Sequence, residues 1–294
     1  MAKLAFIGNQ ETPQKLLDTF CKMTPGRSGI WGELQGTGNI DEADYFAVID
    51  RLPNEYKGRV PTKKCVFLGA HPETLKYYQN MDSFTECIAK FDCRENLGFI
   101  EWWINFDYDY LSKLPPMPKT KLLGTIVSNA TSDNSHHVRR AFLERMCSKN
   151  PGILDIYGRI APFGSLIAHY RGLCGNPSKG HDGDYWSGKE PVYEQYKYMI
   201  EFDNVGQNYF SERILDCMLL WAMPIYWGGQ PHKFIPENSF RYLDINGAGD
   251  DAKEIINSRF YEEHTQDLVV ARFKLLNELQ VWPKVHHAIF GRYR

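Results

Sequence analysis

The sequence predicts an α/β protein made of two Rossmann-like domains that face a central cleft. Strand and helix patterns alternate along both halves of the chain, which is the order found in parallel sheets. The chain has 294 residues, of which 43% are hydrophobic and 14% aromatic, enough for two moderate cores. The densest proline cluster, at 114–118, is followed at once by a new strand pattern. We therefore predict an N-terminal domain over 1–118 and a C-terminal domain over 119–294.

The first half contains three predicted strands and one predicted helix. The strands cover 3–7, 43–49 and 64–68, and the helix covers about 16–23. Short apolar runs between polar or turn residues are typical of buried strands, whereas the apolar residues of the helix recur at helical spacing. This half therefore has the pattern of a parallel sheet.

The second half repeats this alternation. Its first elements are strands over 121–128 and 153–157, with a helix over about 136–147 between them. A loop rich in Gly, Pro and Ser follows at 172–188. A final helical pattern over 267–279 is long enough to indicate packing rather than a free tail, and we expect that this helix can return to the first domain.

The segment 196–229 is the most informative part of the chain. Alternating apolar residues over 196–202 predict a strand, and an apolar stripe over 214–219 predicts a helix. We predict that Pro224 ends this helix before a second strand at 225–227. Ligands of open α/β sheets bind at the carboxyl ends of strands, so this βαβ unit predicts a nucleotide pocket. The residues at that position are Asp203, Asn204, Tyr209, Ser211, Glu212 and Arg213.

Composition limits the function further. The formal net charge is −2, from 34 basic and 36 acidic residues, so we expect no nucleic-acid partner bound through a strongly cationic surface. The seven cysteines include no CxxC pair, which argues against a disulfide scaffold and a structural zinc site. The apolar runs are too short for a signal peptide or a transmembrane helix. We therefore expect a soluble, cytoplasmic protein without a membrane anchor.

Pattern alone would also fit a single-domain hydrolase or a two-domain binding protein, but residue identity narrows the choice. Four motifs follow one another closely: FDN at 202–204, YFSER at 209–213, PIYWGG at 224–229 and FIPENSF at 234–240. Together they resemble the family-ten α-1,3/α-1,4-fucosyltransferases, most strongly over 196–245. Weaker likenesses are VSNA at 127–130, VRRAF at 138–142 and DIYGR at 155–159.

The resemblance implies a GT-B fold, with an acceptor-side first domain and a second domain that binds the nucleotide-sugar donor. It also implies inverting transfer of fucose from GDP-fucose to a glycan hydroxyl, without a cofactor. Asp203 stands where the family has Glu, which leaves open another donor such as UDP-xylose or another GDP-sugar. A non-catalytic nucleotide- or glycan-binding protein is the alternative of a different class.

The diphosphate leaving group needs positive charge. Negative charge builds on the β-phosphate as the bond to the sugar breaks, and a site without metal must stabilise it with cationic side chains and helix N-terminal amides. We predict that Arg213, in the first turn of its helix, provides this charge. Arg139 and Arg159 are further candidates, and for each of them a surface ion pair or a solvated loop position is the alternative.

The remaining donor contacts come from the same motifs. The resemblance implies that Glu212 accepts hydrogen bonds from the ribose hydroxyls and that Asp203 contacts the sugar. Tyr209 is predicted to stack on the base or touch the sugar, and Asn204 to bind donor hydroxyls. The ordinary alternatives are a helix cap at Ser211 and Glu212, a hydrophobic staple and an Asx turn. The motif context favours donor binding.

An acceptor hydroxyl must lose its proton to a general base as it attacks the sugar. The resemblance implies a glutamate in a loop after a strand of the first domain, next to a proline. Here His71, Pro72 and Glu73 follow the third predicted strand. We predict Glu73 as the base, with His71 second. Glu101 beside two tryptophans is a competitor, because apolar surroundings raise the pKa of a carboxyl group.

We predict no metal. Acidic triplets at 107–109 and 182–184 have the DxD spacing of metal-diphosphate sites, but such triplets are frequent in proteins. The histidine pairs at 136–137 and 286–287 have no partner ligands at recognisable spacing. A GT-B fold of the kind implied above requires neither feature.

Overall fold

This computed structural model of the chain describes residues 1–9, 11–69, 86–92, 101–128, 134–174, 188–203 and 211–291. The strands are β1 (Ala2–Ile7), β2 (Ile30–Trp31), β3 (Leu34–Gly36), β4 (Tyr45–Ile49), β5 (Cys65–Gly69), β6 (Ala89–Asp92), β7 (Lys121–Ile126), β8 (Asp155–Tyr157), β9 (Tyr170–Gly172), β10 (Tyr196–Phe202), β11 (Met223–Trp227) and β12 (Arg241–Tyr242). The helices are α1 (Pro13–Cys21), α2 (Tyr108–Lys113), α3 (Asn134–Lys149), α4 (Glu190–Tyr193), α5 (Glu212–Leu219), α6 (Asp250–Asn257), α7 (Phe260–Glu263), α8 (Thr265–Lys274) and α9 (Val281–Phe290).

The chain folds into two compact units, each defined by the contacts among its own residues. The first contains Met1–Glu101, Phe106–Leu114 and Phe273–Arg294, and the second contains Trp102–Asn105 and Pro115–Arg272. Among the described residues, each unit contains one six-stranded sheet. A division into independently folding domains at 118 stays a prediction.

The sheet of the first unit has the order β2-β3-β1-β4-β5-β6, and only the pair of β2 with β3 is antiparallel. Its central strands are apolar on both faces: Leu4–Ile7 of β1 and the corresponding residues of β4 and β5 are buried. Parallel strands covered on both faces require such continuous apolar runs. The three strands predicted in this half are confirmed, with small shifts in their bounds.

The last helix of the chain completes the core of the first unit. The ring of Trp282 on α9 lies 5.0 Å from that of Phe6 on β1, and its Nε1 donates to the backbone oxygen of Phe20 at 2.9 Å. The sequence predicted the helix before it, over 267–279, which is present as α8 and a π-helical continuation over Leu275–Leu279. Helix α9 itself was not predicted. No helix that the structure describes is long and apolar enough to cross a membrane.

The sheet of the second unit is parallel throughout, in the order β12-β11-β10-β7-β8-β9. Strand β8 pairs with one side of β7, and β9 follows next to β8. Strand β10 pairs with the other side of β7, and β11 and β12 follow in turn next to it. The direction of winding therefore reverses between β7 and β10. In open α/β sheets, ligands bind at this switch point, outside the carboxyl ends of the strands.

The prediction that Pro224 ends a helix is wrong. Helix α5 ends at Leu219, and Pro224 lies within β11. The carbonyl of Tyr226 accepts the N–H of Leu243, so by alternation the backbone of Pro224 faces the same side of β11. On that side β12 pairs with β11 only at Ile225 and Tyr226. No described neighbour needs a backbone N–H at Pro224, so the strand tolerates a proline.

Candidate functional site

Predicted site residues from several segments meet at one edge of the second sheet. Asp203 directly follows β10, and Arg159 follows β8. Arg139 on α3 reaches the end of β7, where its Nη2 donates to Ser128 Oγ at 2.9 Å. Because β10, β7 and β8 are parallel neighbours, their carboxyl ends lie side by side at the switch point. The donor-site predictions that the structure describes therefore share this edge.

Asp203 is a buried junction between three segments. It is 0% exposed, and its carboxylate accepts hydrogen bonds from the Ser211 backbone N–H at 3.2 Å, the Ser211 hydroxyl and the Tyr226 hydroxyl. Burial raises the pKa of Asp203 to about 6, although the hydrogen bonds from Ser211 and Tyr226 oppose this rise. The side chain joins the end of β10 to α5 and β11. A contact between Asp203 and a donor sugar stays a prediction.

The N-terminus of α5 lies beside this junction. Ser211 caps the helix, because its Oγ accepts the N–H of Arg213 at 3.4 Å. Glu212 and Arg213 form the first turn and are half-buried. The next two residues, Ile214 and Leu215, are fully buried, so packing fixes the helix at the edge of the sheet. A capped helix start with an arginine in its first turn favours an anion.

Three neighbouring acidic side chains affect the pKa of Arg213. Burial alone would lower the pKa of Arg213, but Glu212, Glu201 and Asp203 raise it above its usual value. Glu201 on β10 is 1% exposed, and burial raises its pKa to about 8 despite Arg213 and Lys189. Glu201 therefore keeps its proton to higher pH than an exposed glutamate does. Within the described part of the chain, Glu201 Oε1 has no hydrogen-bond partner.

A buried ion pair lies next to these groups. Lys189 Nζ is 2.9 Å from Asp216 Oδ2, and the two side chains are 9% and 0% exposed. The other oxygen of Asp216 accepts the backbone N–H of Trp103 at 2.9 Å. Burial raises the pKa of Asp216 to about 6, although Lys189 lowers it. Burial would lower the pKa of Lys189, but Asp216 and Glu212 raise it above its usual value, so both partners are charged at pH 7.

Sequence reasoning missed Glu201, Asp216, Lys189 and Tyr226. A signal existed for the two acids, because each is a charged residue inside an apolar pattern, Glu201 in the strand and Asp216 in the helix. Lys189 gives no such signal, since it stands before a short helix and outside every motif. Tyr226 reads as an ordinary apolar position of a buried strand.

Replacing Glu201 with glutamine is expected to flatten part of the pH dependence of stability. The folded-state pKa of Glu201 is about 8, against 4.5 for the free side chain, so the unfolded chain releases this proton at lower pH. Wild-type stability is therefore lost as pH rises from about 4.5 to about 8, at up to about 1.4 kcal/mol per pH unit. Urea denaturation at pH 5, 6, 7 and 8 should show the variant gaining on the wild type as pH rises. Parallel curves would contradict this role of Glu201.

The ends of β7 and β8 hold the other predicted cations. Arg139 is 1% exposed, whereas Arg159 is exposed. Gly158, which directly precedes Arg159, has φ +108°, and a Cβ at this position would lie 2.3 Å from the backbone oxygen of Val127. Only glycine combines this backbone conformation with so close an approach. The role of Arg139 and Arg159 as phosphate ligands stays a prediction.

Four predicted site residues, Glu73, His71, Asn204 and Tyr209, lie outside the described residues, so their roles stay predictions. The competing base, Glu101, is half-buried.

The acidic triplet at 107–109 has structural partners. Asp107 caps α2 by accepting the N–H of Tyr110 at 3.0 Å, and Asp109 Oδ2 accepts the N–H of Gly26 at 2.7 Å. Over the described ranges, no group of three or more His, Cys, Asp or Glu side chains could hold a metal ion. The triplet at 182–184 lies in the gap between 174 and 188, and metal independence stays a prediction.

No protein-family model matches the sequence, and no curated protein matches it either. Solved structures are similar to the chain. A crystal structure of β-glucosyltransferase, a DNA-modifying enzyme studied with and without its substrate uridine diphosphoglucose, aligns with a TM-score of 0.53 at 12% identity. The alignment covers 98% of this chain and 99% of that one.

Two further structures align less closely. T4 phage BGT in complex with its UDP-glucose substrate has a TM-score of 0.49 at 12% identity, covering 98% of this chain and 99% of that one. An α1,3-fucosyltransferase has a TM-score of 0.49 at 13% identity, covering 96% and 92%. The likeness to β-glucosyltransferase, together with the two parallel-rich sheets, confirms that the chain has the predicted α/β fold of the GT-B class.

Proposed function

We propose that the chain is a glycosyltransferase that moves a sugar from a nucleotide-sugar donor to an acceptor hydroxyl. The observation that carries this proposal is the position of Glu212 and Arg213 in the capped first turn of α5, at the carboxyl end of β10 and beside the switch point. The fold is that of a β-glucosyltransferase whose structure was determined with uridine diphosphoglucose, which supports the same general activity.

The chemistry of the edge fits a diphosphate leaving group. The N-terminal amides of α5 and the guanidinium of Arg213 can share the negative charge that develops on the β-phosphate. The raised pKa of Arg213 keeps its guanidinium cationic at pH 7. Glu212, on the same turn, can accept hydrogen bonds from ribose hydroxyls. Arg139 and Arg159, from the neighbouring strand ends, would add charge to the same edge.

We propose GDP-fucose as the donor, a glycan hydroxyl as the acceptor and inversion at the sugar carbon. The support for fucose is the sequence resemblance over 196–245. A single displacement needs one base, for which Glu73 is our first candidate and His71 the second. The proposed site works without a metal ion, because the N-terminus of α5 and the arginines would stabilise the negative charge of the diphosphate that a metal ion would otherwise stabilise.

A UDP-sugar is the second candidate donor. A solved structure that aligns with a TM-score of 0.53 is that of an enzyme whose substrate is uridine diphosphoglucose. Asp203, where the resembling family has glutamate, is a further reason, because a shorter carboxylate at this junction changes the geometry beside the sugar. A non-catalytic binding protein is the remaining alternative, motivated by the order of His71, Pro72 and Glu73.

A nucleotide panel tests the proposal. Thermal shift and calorimetry with GDP, UDP and CMP, each with Mg²⁺ and with EDTA, should show GDP binding most tightly under both conditions. A nucleotide at about 100 times its Kd stabilises the folded state by about 2.7 kcal/mol, which gives a clear shift in Tm. Donor hydrolysis and transfer to a glycan panel should follow the nucleotide preference.

Each outcome separates the candidates. Binding of UDP without GDP would replace fucose by a UDP-sugar. Nucleotide binding without hydrolysis or transfer from any matching donor would favour the binding protein. Failure of all three nucleotides to bind would overturn the proposed function.

A further inference from the structure

We propose that Asp203 and Tyr226 are positioning residues of the donor site: together they hold the first turn of α5 and the turn at Gly228 and Gly229 in the geometry that the donor requires. This inference rests on the proposed function and assigns Asp203 a structural role within the site.

The two side chains form one buried hydrogen-bonded link. Both are 0% exposed, and the Tyr226 hydroxyl donates to Asp203 Oδ2. The same hydroxyl accepts the backbone N–H of Gly229 at 2.9 Å. Asp203 also accepts two hydrogen bonds from Ser211, the cap of α5. The link therefore joins the end of β10, the start of α5 and the turn after β11.

The atoms around the link between Asp203 and Tyr226 are closely packed. A Cβ on Gly228 would lie 2.1 Å from the Tyr226 hydroxyl oxygen and 2.9 Å from Asp203 Oδ2. The backbone of this turn therefore passes directly over the hydroxyl, and a side chain at Gly228 would displace it. In a close-packed interior such a displacement is passed on to the neighbouring segments rather than absorbed.

The link acts on the site through Ser211. This residue is the cap that fixes the first turn, and Glu212 and Arg213 are the next two residues of the chain. A buried carboxylate that loses one of its donors and a buried N–H that loses its acceptor both favour rearrangement. A shift of about 1 Å at residues that orient a substrate lowers rates by about 100-fold. A rearrangement at Ser211 displaces Glu212 and Arg213, so we expect slower donor hydrolysis and, because these two residues are the proposed donor contacts, weaker donor binding.

Tyr226→Phe tests the proposal, with Tyr198→Phe as the matched control. Tyr198 lies in β10 and is 1% exposed, and its hydroxyl accepts the backbone N–H of Tyr261 at 2.9 Å. Each variant thus removes one buried hydroxyl that accepts one backbone N–H. Tyr226→Phe also removes the hydrogen bond donated to Asp203, so it should lower Tm at least as much as Tyr198→Phe. We expect Tyr226→Phe to raise the Kd for the donor nucleotide about tenfold and Tyr198→Phe to change it less than about twofold.

Hydrogen exchange supplies a readout that needs no ligand. Amides over 211–219 should exchange about tenfold faster in Tyr226→Phe than in the wild type, and at the wild-type rate in Tyr198→Phe. Equal Kd values and equal exchange rates in the two variants would overturn the proposal. If the wild type binds no nucleotide, the proposed function fails, whereas the exchange rates still decide whether the link holds the first turn of α5.

Discussion

Replacing Arg213 with alanine is expected to weaken binding of the donor nucleotide by about 100-fold and to abolish measurable donor hydrolysis. Guanidinium–phosphate hydrogen bonds are charge-assisted, and loss of one group that stabilises developing negative charge lowers kcat by about 100- to 1,000-fold. Arg213 stands at a helix N-terminus with a raised pKa, so the charge that disappears is a full one. Calorimetry with the preferred nucleotide and steady-state hydrolysis measure the two effects.

Two variants separate binding from folding. Arg213→Lys keeps the charge but not the planar fork, so partial recovery of affinity is expected. Arg145→Ala removes an exposed arginine of the same unit that donates to the backbone oxygens of Ile245 and Gly247, and it should leave nucleotide affinity unchanged. Unaltered affinity in Arg213→Ala, together with a lower Tm, would make Arg213 only a structural counterion of Glu212 and Asp203.

The backbone of the site follows closely from the sequence. The strand over 196–202 alternates strictly at its start and is apolar or aromatic at five of its seven positions, and the helix carries its apolar stripe from Ile214 onwards. Such local periodicity reports burial against a sheet, which is why the βαβ unit and its ligand edge could be predicted. Ser211 followed by Glu212 is a helix-start signal, and Ser211 is indeed the cap of α5.

The side-chain network beneath that edge could not be predicted. The link from Asp203 to Tyr226 spans 23 positions of sequence, and Lys189 meets Asp216 across 27. Nothing in local periodicity encodes pairings of that kind, because they form only when strands and helices pack. The prediction at Pro224 was wrong for a related reason. The helix-breaking signal of a proline is local, whereas β11 tolerates this proline because β12 is too short to pair with it, which is a tertiary feature.

Replacing Lys189 with methionine is expected to destabilise the protein by about 3–5 kcal/mol at pH 7. The side chain of similar length fills the space of the lysine but leaves Asp216, which is 0% exposed, without its counter-charge. Breaking a buried pair from one side is strongly destabilising because the remaining charge has lost both water and its partner. The free energy of unfolding from urea titrations at pH 7 measures the effect.

The exposed pair of Lys149 and Asp250 provides the control. These side chains are 54% and 64% exposed, and Lys149 Nζ lies 2.6 Å from Asp250 Oδ2. Because the pair is exposed to solvent, Lys149→Met should change the free energy of unfolding by about 1 kcal/mol or less. The double variant Lys189→Met/Asp216→Leu should recover most of the loss, because removing both charges also removes the desolvation of the unpaired one. Recovery should stay incomplete, since the backbone N–H of Trp103 then lacks the oxygen that accepts it. A loss in Lys189→Met no larger than in Lys149→Met would show that the buried pair contributes nothing beyond an ordinary surface contact.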